Sequence, residues 1–594
     1  MYRPKRWQLA EPHPGVQDLA SRLKVSPVIA QILLNRGLSE APDCENFLKP
    51  SLKCLHDPAG IPNLLSAAER IAKAVRDREK IVVYGDYDVD GITATAILWH
   101  AIKLLGGEVD YYIPHRIEEG YGLNAEAIGQ ICDTGARLII SVDCGVTAIE
   151  PARVAHDKDV DLIITDHHEW HEIAASLTDD KTEHRPILPT TAYAIVHPRL
   201  PVEGQELYPN KHLCGAGVAF KLAWGIGMAM SGANRVSAEF RQFLMEATAL
   251  AALGTIADVV PLVGENRVLA HYGLTGLRRS RLTGIRALIA SAGLEGAALD
   301  SYHVGFLLAP RLNACGRMGH AALAVEMLTK ADENRAREIA TYLEEQNRAR
   351  QTIERQILGL ALAQVTERKF DTDACRGIVL GGEGWHPGVI GIVASRIVDR
   401  FNKPTVMVAL NNGHGQGSGR SIAGFHLARA FEACGDHLEA YGGHEMAAGL
   451  KLRTDNFEAF REAFCAHAMS QLTPEQLVPH LKLECQTDLR QITEALIHDL
   501  SRLGPFGHGN RRPVLCCKNI QIAAPPRRVG KTGDHLQLFV RQGPTNMKCI
   551  AFSMGGLSDT LQQGMTVDLA AEPSLNEFNG RVSVELEVKD VQVK

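Results

Sequence analysis

The stretch IVVYGDYDVDG, residues 81–91, is an apolar run followed at once by three aspartates at alternate positions. The β-branched run is typical of a short buried strand, and alternate side chains on an extended chain point the same way. Asp86, Asp88 and Asp90 would then face one another, and like charges about 4 Å apart repel by roughly 4 kcal/mol near a protein surface. A solvated turn or a helix cap would relieve this repulsion, and so would a bound cation.

The sequence around this stretch alternates between helical and strand-like patterns. Residues 67–80 and 92–106 have the apolar spacing of helices. Residues 108–114, 136–145 and 160–168 are predicted as strands. Strands separated by helices predict a parallel sheet that is covered on both faces.

Changes of pattern predict five regions along the 594 residues. We expect an α/β fold, with two α/β domains joined by a long helix and followed by a small β-barrel. The regions are a helical lead-in (1–50), an α/β domain (51–320), a connector helix (321–366), a second α/β domain (367–460) and a β domain (461–594).

Composition limits the class of protein. The net charge of −6 gives no global nucleic-acid signature, so any basic surface must be local. No apolar segment follows the basic start and no run of about 18 apolar residues occurs, so we expect neither a signal peptide nor a membrane span. The 13 cysteines include no CxxC pair, which predicts reduced thiols and a cytoplasmic protein.

Four apolar segments, all expected to be strands, end in residues that can bind metals. In an open parallel sheet, ligands bind beyond the carboxyl ends of the strands, so the four ends would converge on one edge. Carboxylates with one or two imidazoles suit Mg²⁺ or Mn²⁺, and a pair of such ions supports phosphoryl displacement. Any one of these residues alone could instead be a cap. The residues are Asp86, Asp88 and Asp90, then Asp143, then Asp166, His167 and His168, then Asp258.

Other residues are candidates for binding phosphate. Gly442 and Gly443 allow close backbone approach, and His444 can donate a hydrogen bond. His386 precedes a predicted helix, whose N-terminus favours anions. An arginine-rich group could clamp phosphate or form a structural ion-pair cluster. This group consists of Arg311, Asn313 and Arg317, and Arg420 lies in a separate glycine-rich segment.

The C-terminal β domain has a local basic stretch with Arg527 and Arg528. A basic groove with stacking aromatic rings is how small barrels bind single strands. Phe539, Phe552 and Phe578 lie in or near its strands, and each is expected in the core more than on a stacking surface.

Taken together, these motifs resemble the DHH phosphoesterase superfamily. DHH at 166–168 lies between DYDVDG upstream and IADVVPL downstream, in the superfamily's order. GSGRS (417–421) and YGGHEMAAGL (441–450) resemble its associated DHHA1 substrate-binding domain. GWHPGVIGIVASR (384–396) and RLNACGRMGH (311–320) resemble the single-strand-specific exonucleases of that superfamily. The resemblance implies a DHH catalytic domain, a DHHA1-type domain and an OB-fold barrel for the three globular regions.

The resemblance also implies roles for the site residues. Asp88 and Asp143, helped by Asp86, would hold one cation, and Asp90, Asp143, His167 and Asp258 would hold the other. His168 would face the scissile phosphate, and Asp166 would orient a histidine or bind metal. Many members have a histidine where this chain has Tyr84, so we expect Asp86 to compensate.

The activity implied is two-metal, Mn²⁺- or Mg²⁺-dependent 5′-to-3′ degradation of single-stranded DNA to mononucleotides, in recombination and repair. Single-strand-binding protein and a helicase are the partners implied, and we expect a monomer. One alternative is a phosphodiesterase of short oligonucleotides or cyclic dinucleotides, most of which lack the barrel. Another is a non-catalytic scaffold, which would have lost the carboxylates.

Overall fold

The structure is a computed structural model that describes residues 4–115, 119–120, 122–170, 172–174, 184–232, 235–318, 320–578 and 580–594. The side chains of residues 172–174, 184–185, 317–318 and 578 lie outside the described part. The chain divides into two compact units. The first unit is 46–348 with 504–511, and the second is 1–45, 349–503 and 512–594.

The N-terminal segment is more than the helical lead-in that was predicted. It contains β1 (Arg6–Leu9), α1 (Val16–Leu23), α2 (Pro27–Asn35) and α3 (Ala41–Leu48). Strand β1 pairs in parallel with residues 480–483, and the Trp7 indole donates to Asp590 at 2.7 Å. The strand was missed because four residues carry little periodicity and the partner is far along the chain.

The first unit is built on a parallel sheet, as predicted. Its strand order is β3-β2-β4-β5-β8, and every neighbouring pair is parallel. Successive residues of β2 enter different cores, Ile81 and Val83 on one face and Val82 on the other. Both faces are therefore covered. The elements up to β8 are α4 (Leu64–Arg76), β2 (Lys80–Gly85), α5 (Val89–Leu104), β3 (Glu108–Tyr112), α6 (Ala125–Asp133), β4 (Leu138–Val142), α7 (Ile149–Asp157), β5 (Asp161–Thr165), β6 (Glu172–Ala174), β7 (His184–Pro186) and β8 (Ala194–Val196).

A helical layer completes the first unit. Helices α4, α5 and α8 supply the core on one face of the sheet, and α6 and α7 supply the core on the other. The helices of this layer are α8 (Gly215–Ser231), α9 (Ala238–Ala257), α10 (Gly264–Arg278), α11 (Thr283–Ser291), a π-helix (His303–Leu308), α12 (Ala309–Met318) and α13 (Ala321–Leu328).

A 35-residue helix, α14 (Glu333–Glu367), runs from the first unit into the second. The sequence predicted one helical segment from about 320 to 366, and the structure has α13 and α14 with a break at residues 329–332.

The second unit contains a mixed sheet and a barrel. The sheet has the order β12-β13-β11-β10-β9, and only β9 and β10 pair in parallel. The predicted strand, turn, helix and strand over 375–410 are present. The elements are β9 (Ile378–Glu383), α15 (Pro387–Phe401), β10 (Thr405–Asn411), β11 (His414–Arg420), α16 (Leu427–Ala433), β12 (Ala440–Gly443), β13 (Ala447–Arg453), α17 (Phe457–Gln471), β14 (His480–Leu483) and α18 (Glu494–Ser501).

The barrel closes because β15 pairs with both β19 and β17. Its interior is an apolar core that includes Leu536, Leu538 and Val567. Its strands are β15 (Leu515–Ile522), β16 (Arg527–Val529), β17 (His535–Gln542), β18 (Thr545–Ala551), β19 (Thr566–Phe578) and β20 (Arg581–Val593). Among all described helices, none is long and apolar enough to cross a bilayer.

Candidate metal centre

The predicted ligands meet at the carboxyl edge of the parallel sheet. Asp86 follows β2, Asp143 follows β4, and Asp166 with the two histidines after it follows β5. The prediction that Asp258 ends a strand is wrong, because this residue caps the C-terminus of helix α9. Strand β4 lies between β2 and β5, so the three strand ends are adjacent.

The three alternating aspartates are brought together by a strand-to-helix turn and not by an extended chain. Asp88 is the N-cap of α5, and its Oδ1 accepts from the amides of Asp90 at 2.8 Å and Gly91 at 3.1 Å. Asp90 lies in the first turn of that helix. A Cβ at Gly91 would lie 2.5 Å from the carbonyl oxygen of Asp86, so the tight turn requires glycine there. The cap alternative is therefore correct for Asp88, which still lies among the ligand-type residues.

The start of helix α8 holds Asp90. The Asp90 carboxylate accepts from the amides of Gly215 at 2.5 Å and Ala216 at 2.8 Å. These amides are unpaired donors at a helix N-terminus, where negative charge is favoured. A Cβ at Gly215 would lie 2.5 to 2.7 Å from three atoms of the Asp143 side chain. Sequence reasoning missed Gly215, and the only signal was the glycine-rich run CGAG at 214–217.

His167 lies at the centre of the cluster. Its Nε2 is 3.1 Å from Asp143 Oδ1, 3.6 Å from Asp258 Oδ2 and 3.7 Å from Asp90 Oδ2. Three overlapping groups have ligand atoms within 4.8 Å of one another. They are Asp86, Asp88 and Asp143; Asp90, His167 and Asp258; and Asp143, His167 and His168. The first two groups match the two sets that the family resemblance implied, except that the resemblance also placed Asp143 in the second set.

Three buried atoms of this cluster have no hydrogen-bond partner among the described residues. They are Asp86 Oδ1, Asp143 Oδ1 and His167 Nε2. Buried polar atoms in folded proteins are nearly always paired, and each one left unpaired costs about 1 to 3 kcal/mol. All three can donate a lone pair to a metal, because carboxylate oxygens suit hard divalent cations and a neutral imidazole nitrogen is a common metal ligand. The residues therefore fit a pair of divalent cations.

Burial controls the protonation of the carboxylates. Burial and the neighbouring charge of Asp88 raise the pKa of Asp86 to about 8. Burial and the charge of Asp90 raise the pKa of Asp258 to about 8 and that of Asp143 well above its ordinary value. So many carboxylates cannot all be ionised together without a compensating positive charge.

The two histidines differ in charge. Burial lowers the pKa of His167 to about 4, which leaves the neutral imidazole that binds metals. Burial also disfavours protonated His168, but its hydrogen bond with Asp166 outweighs this and raises its pKa to about 9. His168 Nδ1 lies 2.8 Å from Asp166 Oδ1, and its side chain is 41% exposed. An imidazolium at the open side of the cluster is suited to contact an anionic substrate.

Asp166 orients this region and is not in any of the ligand groups among described residues. Its carboxylate accepts from the amides of His167 at 2.7 Å, His168 at 3.1 Å and Val146 at 2.9 Å. Burial would raise its pKa, but the hydrogen bond with His168 outweighs this and lowers it. The geometry favours the orienting role over the metal-binding alternative.

Two residues directly after β8, which sequence reasoning did not identify, bind the backbone of the DHH segment. The imidazole of His197 is 2.9 Å from the His168 carbonyl, and Arg199 donates to the His167 carbonyl at 2.6 Å. The pKa of His197 is lowered to about 4 by burial, so it is neutral. The run VHPR at 196–199 was a usable signal, because a histidine and an arginine follow a short apolar strand.

Tyr84, at the position where the family resemblance implied a histidine, lies on the opposite face of the sheet. Its hydroxyl donates to the Gly122 carbonyl at 3.0 Å, and its ring stacks on Tyr112 with centroids 5.2 Å apart. It belongs to the core beneath α6 and α7. The first ligand group therefore comes from Asp86, Asp88 and Asp143.

The RLNACGR segment lies on helix α12. Asn313 Oδ1 accepts from the amide of Val89 at 3.2 Å, beside the capping Asp88. Arg311 pairs with Glu344 at 2.8 Å, which is the ion-pair alternative and not a free phosphate clamp. The side chain of Arg317 lies outside the described residues.

The phosphate-binding candidates of the second unit lie on its mixed sheet and on α15. His386 is the N-cap of α15, and its Nδ1 accepts from the Gly388 amide at 3.0 Å. Arg420 is largely buried and donates to Ser418 Oγ at 3.0 Å, and burial lowers its pKa. Gly442 and Gly443 end strand β12, and His444 follows in the turn to β13; all three are exposed.

In the barrel, the basic residues and two aromatic residues face solvent. Arg527 is exposed, and Arg528 pairs with Asp559 at 2.7 Å. Phe539 is 43% and Phe552 is 50% exposed, although both were expected in the core. The Phe578 side chain lies outside the described residues.

Three family models match the chain. The DHH family N-terminal domain matches residues 80–255, the DHHA1 domain matches 374–469, and the RecJ OB domain matches 483–590.

Comparison with individual proteins gives the same picture. The single-stranded-DNA-specific exonuclease RecJ of Bacillus subtilis (strain 168) is 36% identical over 99% of this chain and 71% of that protein. RecJ from Thermus thermophilus in complex with Mn²⁺ superposes with a TM-score of 0.81 at 30% identity, over 99% of this chain and 79% of that one. The Mg²⁺ complex of the same protein gives a TM-score of 0.75 at 29% identity, over 99% and 78% of the two chains.

Proposed function

Since the chain belongs to the RecJ family of single-stranded-DNA-specific exonucleases, we propose that its metal centre hydrolyses the phosphodiester bonds of single-stranded DNA. The observation that carries this proposal is the position of Asp143, a buried carboxylate that belongs to two of the groups of ligand-type residues and has an oxygen that accepts no hydrogen bond from a described residue.

The residues are assigned to two cations, Mn²⁺ or Mg²⁺. Asp86, Asp88 and Asp143 would hold the first. The second set consists of Asp90, Asp143, His167 and Asp258. Two such ions lower the pKa of a bound water and stabilise the oxygens of an in-line displacement.

The other residues of the centre bind and orient. Gly215 and Ala216 fix Asp90 through their amides, so that its oxygens are aimed before substrate arrives. Asp166 keeps His168 protonated and fixes its ring. The His168 imidazolium would donate to a non-bridging oxygen of the scissile phosphate, where negative charge accumulates during displacement.

Several finer assignments are supported by the family resemblance. They are 5′-to-3′ polarity, release of mononucleotides, a role in recombination and repair, a monomeric state, a cytoplasmic location, and partnership with single-strand-binding protein and a helicase. We also retain 51–320, 367–460 and 461–594 as the limits of the catalytic, DHHA1-type and OB domains, 1–50 as lead-in and 321–366 as connector.

Further residues are proposed to bind the strand. Arg420 and the exposed end of β12 with His444 offer donors for phosphates, together with Gly442 and Gly443, and His386 lies at a helix start. Arg527 and Arg528 offer charge on the barrel. Arg311 and Asn313 support the loop of Asp88 from α12, with Arg317 nearby in sequence.

The test is the Asp143→Ala variant on a 3′-labelled long single strand, with Mn²⁺ and with EDTA. We expect wild type to shorten the strand from its 5′ end with Mn²⁺ only, and the variant to be folded and inactive. Asp110→Ala removes an exposed carboxylate of the same sheet and is the matched control, expected to keep full activity.

Two outcomes would contradict the proposal. Near-normal activity of Asp143→Ala would show that no shared ligand lies at that position. A wild-type enzyme that leaves the long strand intact but cleaves a dinucleotide would support the short-oligonucleotide phosphodiesterase instead.

A further inference from the structure

Two stacked aromatic rings are exposed to solvent on the helix that leads to the metal centre. Tyr302 is 57% exposed and Phe306 is 68% exposed. Their ring centroids are 4.9 Å apart and their planes differ by 27°. Within the described part of the chain, no other stacked pair has both rings exposed. Exposed aromatic rings bring no burial energy to the fold, so this pair is not explained by core packing.

The helix that carries these rings also reaches the ligand loop. It is continuous from residue 301 to 318, with the π-helix at 303–308 followed by α12. Near its other end, Asn313 accepts from the Val89 amide, and a Cβ at Gly316 would lie 2.5 Å from the Tyr87 carbonyl oxygen. The rings and the loop that carries Asp86 and Asp88 are therefore joined by one rigid element.

One open stripe connects the rings to the ligand loop along this helix. Of residues 308–316, only Pro310 and Asn313 are not buried. Together with the two rings they follow the 4-4-3 spacing of a single helix face. Helical rise places Phe306 about 10 Å from Asn313, which is the length of roughly three stacked nucleotides.

We infer that Tyr302 and Phe306 form a stacking surface for unpaired bases of the substrate strand, a few nucleotides from the scissile phosphate. This inference rests on the proposed exonuclease function and adds two residues that no sequence motif indicated. Unpaired bases have exposed π-faces that stack on aromatic rings regardless of sequence, whereas bases in a duplex are already stacked on one another. The surface would therefore favour single strands without reading their sequence.

The local π-helix is consistent with this role. A single π-helical turn in an α-helix is rare and is found frequently at functional sites. Here it lies between Tyr302 and α12, and the turn itself contains Phe306. The strand would follow the open face of this helix toward the carboxylates.

The test compares wild type with a Tyr302→Leu/Phe306→Leu variant, because leucine keeps helix propensity and apolar character but removes the planar ring. With Mn²⁺, KM for a long single strand should rise by at least roughly 5-fold, the loss expected for one base stack, with kcat little changed. Hydrolysis of a dinucleotide, which is too short to reach the rings, should be unchanged. Tyr193→Leu removes another exposed aromatic ring of the same unit and should behave as wild type.

A second readout requires no catalysis. Strands with 2-aminopurine at successive positions from the 5′ end are bound to wild type in EDTA, where stacking quenches the fluorescence. We expect quenching at internal positions in wild type and its loss in the double variant. If wild type binds and quenches but hydrolyses no strand with Mn²⁺, the proposed function fails while the stacking surface stands.

Three results would overturn the inference. The first is an unchanged KM on the long strand together with unchanged quenching. The second is an equal loss on the long strand and the dinucleotide, which would indicate damage to the metal centre. The third is a smaller oligomer on removal of the rings with KM unchanged, which would show that a second copy of the chain covers them.

Discussion

At the scale of single residues, the metal centre depends on a position that has no side chain. Gly215 contacts two ligands at once, because its amide binds Asp90 and its Cα lies against Asp143. Asp143 is itself held at a φ of 62°, and Val259, directly after Asp258, at 60°. A positive φ is rare for aspartate and strained for a β-branched residue, and such strain is concentrated at functional sites.

The first prediction concerns Gly215→Ala. The added methyl group would displace the Asp143 carboxylate, and a displacement of about 1 Å at a catalytic group costs roughly 100-fold in rate. We therefore expect kcat on single-stranded DNA to fall by about 100-fold and the affinity for Mn²⁺ to fall as well, measured by steady-state kinetics and titration calorimetry.

Gly129→Ala is the matched control. Gly129 also lies in a helix of the first unit, but its added Cβ would have only Val154 nearby, at 3.9 Å. It should keep wild-type activity. Equal activity of Gly215→Ala and Gly129→Ala would contradict the packing described.

Sequence reasoning indicated the candidate ligands that the structure brings together, but not what positions them. Asp86, Asp143 and His167 follow apolar strands, so their convergence follows from parallel pairing. Asp258 was assigned to a strand because a short apolar run does not distinguish a strand from a buried helix, and here the run belongs to α9. Gly215 was not found because its contact with Asp90 joins residues 125 positions apart.

At the scale of secondary structure elements, three strand ends and one helix end place several buried carboxylates at one edge of the sheet. Burial and mutual repulsion disfavour their ionised forms. In the absence of metal, burial raises the pKa of Asp86 and Asp258 from 3.8 to about 8. The folded protein then binds protons that the unfolded chain releases above pH of about 4.

The second prediction is a pH dependence that follows from these shifts. Because the unfolded state binds fewer protons between pH of about 4 and about 8, the stability of the metal-free protein should fall as pH rises through this window. Mn²⁺ should replace the protons, so the rise in melting temperature on adding Mn²⁺ should be larger at the upper end of the window. Thermal unfolding in EDTA and in Mn²⁺ at several pH values measures both effects.

An Asp86→Asn/Asp258→Asn variant supplies the comparison for this prediction. It lacks the two titrating groups, so its stability in EDTA should depend less on pH. If the rise in the melting temperature of wild type on adding Mn²⁺ does not depend on pH, these carboxylates are already ionised without metal.

At the scale of the whole molecule, a distant turn completes the first unit. Residues 504–511 belong to that unit, although the chain on either side belongs to the second. The Leu262 amide donates to the His508 carbonyl at 2.8 Å, four residues after the candidate ligand Asp258. Buried Asn510 closes the turn by donating to the Pro505 carbonyl at 2.7 Å. Nothing in the sequence of this glycine-rich turn identifies its partner.

The third prediction is that this turn supports Asp258. A Cβ at Gly507 would lie 2.7 Å from Leu262 Cδ1, so Gly507→Ala should shift the segment after Asp258 and lower activity by roughly 10-fold. Adding Leu262→Ala removes the clashing methyl group and should restore part of the loss. Activity and Mn²⁺ affinity are measured for the four members of this double-mutant cycle.

Gly556→Ala is the control, because nothing lies within 4 Å of its added Cβ. No rescue by Leu262→Ala would mean that the clash does not act through Leu262.

The long separation between contacting ligand residues also has a kinetic consequence. Asp90 meets Gly215 across 125 residues, and His167 meets Asp258 only after α8 and α9 are in place. Loops of this length close slowly, so contacts of this kind form late in folding. The cations therefore cannot nucleate folding, since their complete binding site does not exist before the topology is reached. Their effect falls on the unfolding rate, and the loaded enzyme is protected against opening more than it is helped to form.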